Sequence, residues 1–294
     1  MSDAAGGASF GSRLAASFDR YGHLCVGIDP HPFLLEEWGL PVSAEGVRSF
    51  GLTVIEQTAG SVGIVKPQVA FYERYGSQGF AALEDVLQAA RDTDLLVIGD
   101  AKRGDIGTTM DSYGDAWFAD DSPLRVDALT CAAYQGLGAN AGFLRRAREA
   151  GRGVFVLAAT SNPEARLTQT ARLASGKTVA AGIVDDVLND NSASDQGDSH
   201  VAPITADLGD VGLVLGATLD LVDYGIALDQ LASTPILAPG FGAQGARYGD
   251  VKSLFGPAAA SVLVSASRSI LGSGPSGVRD AARRASDEVT ACLA

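Results

Sequence analysis

The segment "IGDAKRGDIGTT" (98–109) sets Asp100, Lys102 and Asp105 close together where the apolar run "LLVI" ends. Two carboxylates and an ammonium at such spacing can do one of two things. They can form an ion-pair network that fills an interior, or they can hold a proton donor in place. Side chains two positions apart share a face of an extended segment. Asp100 and Lys102 are therefore expected to project together. Lys66 ends an earlier apolar run, "SVGIVKPQ", and joins them if the two runs are neighbouring strands. Flanking carboxylates favour the protonated lysine, and burial opposes them. A lysine so held suits proton donation, whereas a Schiff-base lysine needs a lowered pKa. The motif alone leaves the structural and the catalytic readings evenly balanced.

These residues need elements to position them. Eight short apolar runs end in small, polar or charged residues: 23–29, 61–68, 95–102, 128–134, 153–161, 211–218, 235–240 and 261–268. They lack strict alternation, as expected of parallel strands covered on both faces. Helical patterns lie between them, at 44–60, 80–92 and 138–151, and another closes the chain at 278–294. Eight strands alternating with helices predict a single-domain (β/α)8 TIM barrel over 1–294. A doubly wound open sheet is the alternative, but its G-x-G-x-x-G turn after the first strand is absent. The connection after the fifth strand is long, and about 163–209 is expected to be an extended excursion. Within it, 177–190 places Val179, Ile183, Val187 and Leu188 on one helix face. The polar stretch "NDNSASDQGDSH" (189–200) reads as a surface loop. A linker between two domains is the competing reading.

Composition narrows the function. The formal net charge of −13 argues against a nucleic-acid or anionic-membrane partner, yet leaves room for a locally basic pocket. No apolar run is long enough to span a bilayer. The first residues lack a basic start and an apolar core, so secretion is not expected, and three scattered thiols without C-x-x-C spacing suggest a reducing, cytoplasmic location. Cys25, Cys131 and Cys292 have no metal-ligand spacing, and three histidines make a multi-histidine metal site improbable. A Ser-His-Asp triad finds no G-x-S-x-G support.

In a (β/α)8 barrel the active site sits at the C-terminal ends of the strands. There the sequence places Asp29, Lys66, Asp100 with Lys102, Ser161 and Arg268. Loops after the seventh and eighth strands commonly bind phosphate in this fold. Here they read "APGFGAQGA" (238–246) and "SASRSILGSG" (265–274). Glycines let backbone N–H groups approach an anion, and the Arg268 fork suits a phosphate dianion.

With these residues assembled, "DAKRGDIGTT" resembles the signature of the orotidine 5′-phosphate decarboxylases. "VGIDP", "VKPQVAFYE", "ATSNP", "VGLVLGAT", "PGFGAQG" and "SASRSI" match in the same order, from about residue 20 to 275. The Lys-Arg-Gly form of the motif, the "PGFGAQG" loop and the long excursion resemble the bacterial type 2 subfamily. The resemblance implies a homodimer of barrels that converts orotidine 5′-phosphate to UMP without metal or organic cofactor. It implies that Lys66, Asp100 and Lys102 form one subunit's charge network, with Lys102 the proton donor. Asp105 and Thr109 would reach into the neighbouring subunit's site. Asp29 would meet the ribose and Ser161 the pyrimidine. Gln244 and Arg268 would grip the phosphate, with Gly240 and Gly242 shaping their loop. Loops 161–165 and 240–249 would close over the substrate.

Two rivals remain. A sugar-phosphate decarboxylase or aldolase of the same superfamily shares D-x-K-x-x-D but recruits magnesium. It needs a further carboxylate near the end of the second strand, where this chain has Lys66 and, further on, Glu73. A non-catalytic phosphate-ligand binder would need Arg268 and the glycine loop but not the Asp–Lys–Asp set.

Overall fold

The computed structural model describes residues 8–195 and 208–294. All eight expected strands form: β1 (Leu24–Ile28), β2 (Ile64–Pro67), β3 (Leu96–Arg103), β4 (Ala128–Ala132), β5 (Gly153–Ala159), β6 (Val211–Leu215), β7 (Ile236–Pro239) and β8 (Val262–Ala266). Each pairs in parallel with its sequence neighbour, and β1 against β8 closes the barrel. The (β/α)8 expectation is met and the open sheet is excluded. The helices Ala44–Thr58, Gly76–Arg91, Gly107–Phe118 and Val278–Leu293 flank the strands. No described helix is long and apolar enough to cross a membrane.

Period two sorts the strand residues into two packing layers. Val26, Val65, Val97, Leu129, Val156, Leu213 and Val264 belong to the larger cluster, between barrel and helices. Cys25, Ile64, Leu96, Ile98, Ala128, Phe155, Val214, Leu237 and Leu263 fill the barrel itself. Following the inner positions towards the C-terminal end changes their chemistry. Ile64 leads to Lys66 and Gln68, Leu96 and Ile98 to Asp100, and Ala128 to Thr130. The interior is apolar at its base and charged at its mouth. One alternation thus builds the core and aims the polar groups.

The helix Phe10–Tyr21, outside the pattern read above, seals the base. Ser9 caps it, its Oγ accepting from Ser12 N at 3.2 Å. Phe10, Leu14 and Phe18 join the inner cluster, with Phe10 edge-on to Phe155. Nearby, Asp127 fastens several elements. It accepts from Val97 N at 2.9 Å and pairs with Arg13 at 2.5 Å and Arg152 at 2.9 Å. Cys25 and Cys131 are buried free thiols, and burial pushes both up to about 12.

The excursion after β5 differs from expectation. The helix starting near 177 is present, but it runs from Val179 to Asp195. Residues 189–195, expected in a surface loop, are therefore helical. Asn191 explains much of this: its Nδ2 donates to Val211 O at 2.8 Å and its Oδ1 accepts from Val211 N at 3.2 Å. Asp190 pairs with Arg148. The buried face is Ala180, Val184 and Val187, with Ile183 and Leu188 at its margin. Residues 196–200 of the expected loop lie outside the described residues. A further short helix, Pro163–Gln169, buries no side chain.

Candidate active site

Three strands meet at Asp100. Its Oδ2 accepts from Lys66 Nζ at 2.8 Å, and its Oδ1 accepts from Lys102 Nζ at 2.5 Å and Thr130 Oγ1 at 2.9 Å. Asp100 and Lys66 are buried, whereas the Lys102 side chain is 47% exposed at the mouth. Burial alone would push the Asp100 carboxyl up, but Lys66 and Lys102 hold it well below the usual carboxylate range. Burial would likewise lower Lys66, and Asp100, then Asp29, hold its ammonium above the ordinary lysine value. Asp100 and Lys66 are therefore both charged at neutral pH.

Lys102 reaches Asp100 by a route the alternation does not supply. Its φ is +48°, the sole positive φ at a non-glycine among the described residues. The β3–β4 register shifts here, pairing Gly99 with Leu129 but Arg103 with Cys131. Asp100, Ala101 and Lys102 thus bulge from the ladder opposite Thr130 alone. Asp100 and Lys102 converge through this bulge, not through a regular extended segment. With its amide oriented to satisfy its neighbours, Gln68 donates to the Asp100 carbonyl at 2.6 Å and accepts from Lys102 Nζ at 3.2 Å.

The other sequence-nominated residues ring the mouth. Asp29 follows β1, and its buried Oδ1 has no hydrogen-bond partner among the described residues. Its Oδ2 lies beside Gly27, where an added Cβ would sit 2.9 Å from Ser267 Cβ. Ser267 Oγ is also buried and has no hydrogen-bond partner among the described residues. Ser161 is exposed after β5. After β7, Gly240 (φ +122°) and Gly242 (φ +68°) adopt backbone open chiefly to glycine. Gly242 N donates to Ala246 O at 2.8 Å, folding the loop back on itself. A Cβ on Gly242 would come within 2.3 Å of Ser269 Oγ, so the loop lies directly on the segment after β8. Gln244 and Arg268 are exposed, and the Arg268 guanidinium makes no ion pair or hydrogen bond among the described residues.

Asp105 and Thr109 stand apart. Asp105 Oδ1 accepts from Ile106 N at 2.8 Å, and neither residue bonds to the Asp100 network within the chain. Ile106, next to Asp105 in the chain, is 59% exposed, and Tyr134, which follows β4, is 89% exposed. Glu73, the carboxylate a magnesium site would recruit, pairs with Arg103. Among the described residues no three His, Cys, Asp or Glu side chains are grouped to hold a metal ion.

Thr130 and Gln68 also belong to the network, although the motifs did not single them out. Both were findable by parity: Gln68 is two positions after Lys66, and Thr130 two after inward-facing Ala128.

Fold and site place the chain among barrel enzymes that work from side chains at the strand ends. It belongs to the orotidine 5′-phosphate decarboxylase / HUMPS family, whose sequence profile matches residues 22–285. It is 44% identical over 283 residues to the orotidine 5′-phosphate decarboxylase of Salinispora tropica, covering 96% of each chain. It is 46% identical over 267 residues to that of Corynebacterium efficiens, covering 91% of each. A crystal structure from Streptomyces avermitilis, named for the same enzyme, superposes with a TM-score of 0.90 at 42% identity, covering 100% of this chain and 99% of that one.

Proposed function

We propose that the protein decarboxylates orotidine 5′-phosphate to UMP and CO2, in pyrimidine biosynthesis and in the cytoplasm. The observation that carries the reading is Asp100 held between Lys66 and Lys102, at 2.8 and 2.5 Å, on the inner face of the barrel mouth. The reaction breaks the bond between the ring carbon and its carboxylate. The electron pair stays on that sp2 carbon, where no adjacent carbonyl delocalises it, and CO2 departs. A fixed ammonium stabilises the charge as it develops and then delivers a proton to the same carbon. Lys102 fills this role because its Nζ is at the mouth while Lys66 stays enclosed. After proton transfer, solvent restores the Lys102 ammonium.

Around this centre, Asp29 Oδ1 accepts from a ribose hydroxyl and Ser161 contacts the pyrimidine. Gln244, Arg268 and the loop shaped by Gly240 and Gly242 take the phosphate. Phosphate binding energy, gained far from the reacting carbon, then closes the loops 161–165 and 240–249. A homodimer completes each site, with Asp105 and Thr109 contributed across the interface. The exposed Ile106, next to Asp105 in the chain, supports that arrangement. The identity with relatives named for the decarboxylase favours this reading over the magnesium-dependent rival, as does the commitment of Glu73 to Arg103.

The test is to mix purified protein with orotidine 5′-phosphate in the presence of a chelator and follow ultraviolet absorbance as UMP forms. Turnover by chelated protein is expected. A folded protein that leaves the substrate intact contradicts the reading, and activity that needs added magnesium favours the rival.

A further inference from the structure

We propose that Thr130 is a positioning residue for Lys102, an inference that rests on the decarboxylase reading. The Thr130 hydroxyl works in two directions: its Oγ1 accepts from the Lys102 backbone N–H at 3.0 Å and donates to Asp100 Oδ1 at 2.9 Å. The β3 bulge lifts Lys102 N–H out of the β3–β4 ladder, and Thr130 is the β4 residue left facing the bulge. Its side chain supplies the acceptor that the strand backbone would otherwise provide. The residue is 1% exposed, so water is a poor substitute.

This bond matters because Lys102 is held in a left-handed backbone conformation (φ +48°) that L side chains disfavour. Its side chain is half exposed and long, so packing does little to aim it. The direction of its Cα–Cβ bond is set by the backbone, and the backbone is tied through the Thr130 hydroxyl. The same hydroxyl fixes the Asp100 oxygen that receives the Lys102 ammonium. Thr130 thus closes a ring running from Lys102 N through its own Oγ1 and Asp100 Oδ1 to Lys102 Nζ. It touches none of the reacting atoms, and it acts through Lys102.

Thr130→Val keeps the shape and deletes the hydroxyl, while Thr130→Ser restores the hydroxyl without the methyl. Two readouts are taken. The first is steady-state kinetics. Misplacing a reacting group by about 1 Å can cost about 10²-fold in rate. Thr130→Val is expected to lose kcat on that scale with KM within a few-fold of wild type, and Thr130→Ser to recover most of the loss. The second is hydrogen exchange of the Lys102 amide by NMR, expected to be protected in wild type and Thr130→Ser and fast in Thr130→Val. A Thr130→Val enzyme with wild-type kcat overturns the proposal, as does a Thr130→Ser enzyme as slow as Thr130→Val. If Thr130→Val fails to fold, Thr130→Ala, which also lacks the hydroxyl, gives the same comparison. If wild type shows no decarboxylation, the decarboxylase reading fails. The exchange readout then still decides the anchoring, and a Lys102 amide equally protected in Thr130→Val overturns it.

Discussion

Lys66 Nζ lies 2.8 Å from Asp100 Oδ2, with the two side chains only 8% and 9% exposed. Each charge is tolerable in that enclosure because of the other. Removing one partner from a buried pair costs about 3–5 kcal/mol, because the survivor is left uncompensated. Asp100→Asn is expected to lose stability on that scale in urea melts, as well as activity.

The pH dependence of that variant follows with a definite sign. In the wild type the depressed Asp100 contributes stability present above about pH 4 and lost as pH falls through its folded value. The raised Lys66 contributes stability present below about pH 10 and lost as pH rises through its folded value. From roughly pH 5 to 9 the pair adds no slope. In Asp100→Asn, burial acts on Lys66 with its main counter-charge gone, and its folded pKa falls below its unfolded one. The unfolded state then binds more protons, so the variant's stability relative to wild type should rise between roughly pH 6 and 9. A difference independent of pH contradicts the pairing.

Among the described residues Arg268 has no ion pair, and it stands at the mouth beside the glycine loop. A hydrogen bond to a charged partner is worth about 1.5–3 kcal/mol, or roughly tenfold to a hundredfold in binding. Arg268→Ala is expected to raise KM for orotidine 5′-phosphate by that factor. Any turnover of orotidine, which has no phosphate, should be unchanged by the substitution. Equal losses on both compounds would place Arg268 elsewhere in the mechanism.

Much of this arrangement was readable in the sequence. Eight apolar runs located eight strands, since a barrel strand must be apolar along its length and polar where it emerges. Lys66, Asp100 and Lys102 were legible for the same reason. The bulge at Lys102 was not, because it depends on the register between β3 and β4, which no single segment records. Nor was the last part of the helix Val179–Asp195. Asn, Asp and Ser favour caps and turns over helix interiors, so "NDNSASD" reads locally as a loop. Tertiary partners of Asp190 and Asn191, on Arg148 and Val211, override that preference.

That anchoring is itself testable. Asn191 satisfies both backbone groups of Val211, the first residue of β6, at the end of the barrel opposite the site. Asn191→Ala leaves them unpaired at a cost of about 1–3 kcal/mol. A lower Tm with unchanged kcat and KM is expected. Unchanged Tm would show that the helix end does not depend on this residue.

Asp105 makes its side-chain bond to Ile106 N and none to Asp100 or Lys102. If it serves the neighbouring subunit, Lys102→Ala and Asp105→Asn should each be nearly inactive. Co-refolding them should restore activity, because each hybrid dimer then contains one site with every wild-type residue. Hybrids that form and stay inactive contradict a shared site.

In the proposed reaction the Lys102 ammonium, set by Asp100, supplies the proton. The most direct measurement is turnover of orotidine 5′-phosphate by Lys102→Ala beside wild type, with circular dichroism confirming the fold of both. General acid catalysis contributes about 10²–10⁴-fold, and electrostatic stabilisation by the same group adds to it. A folded variant slowed by at least about 10³-fold is expected. A folded variant within a few-fold of wild type would contradict this role of Lys102.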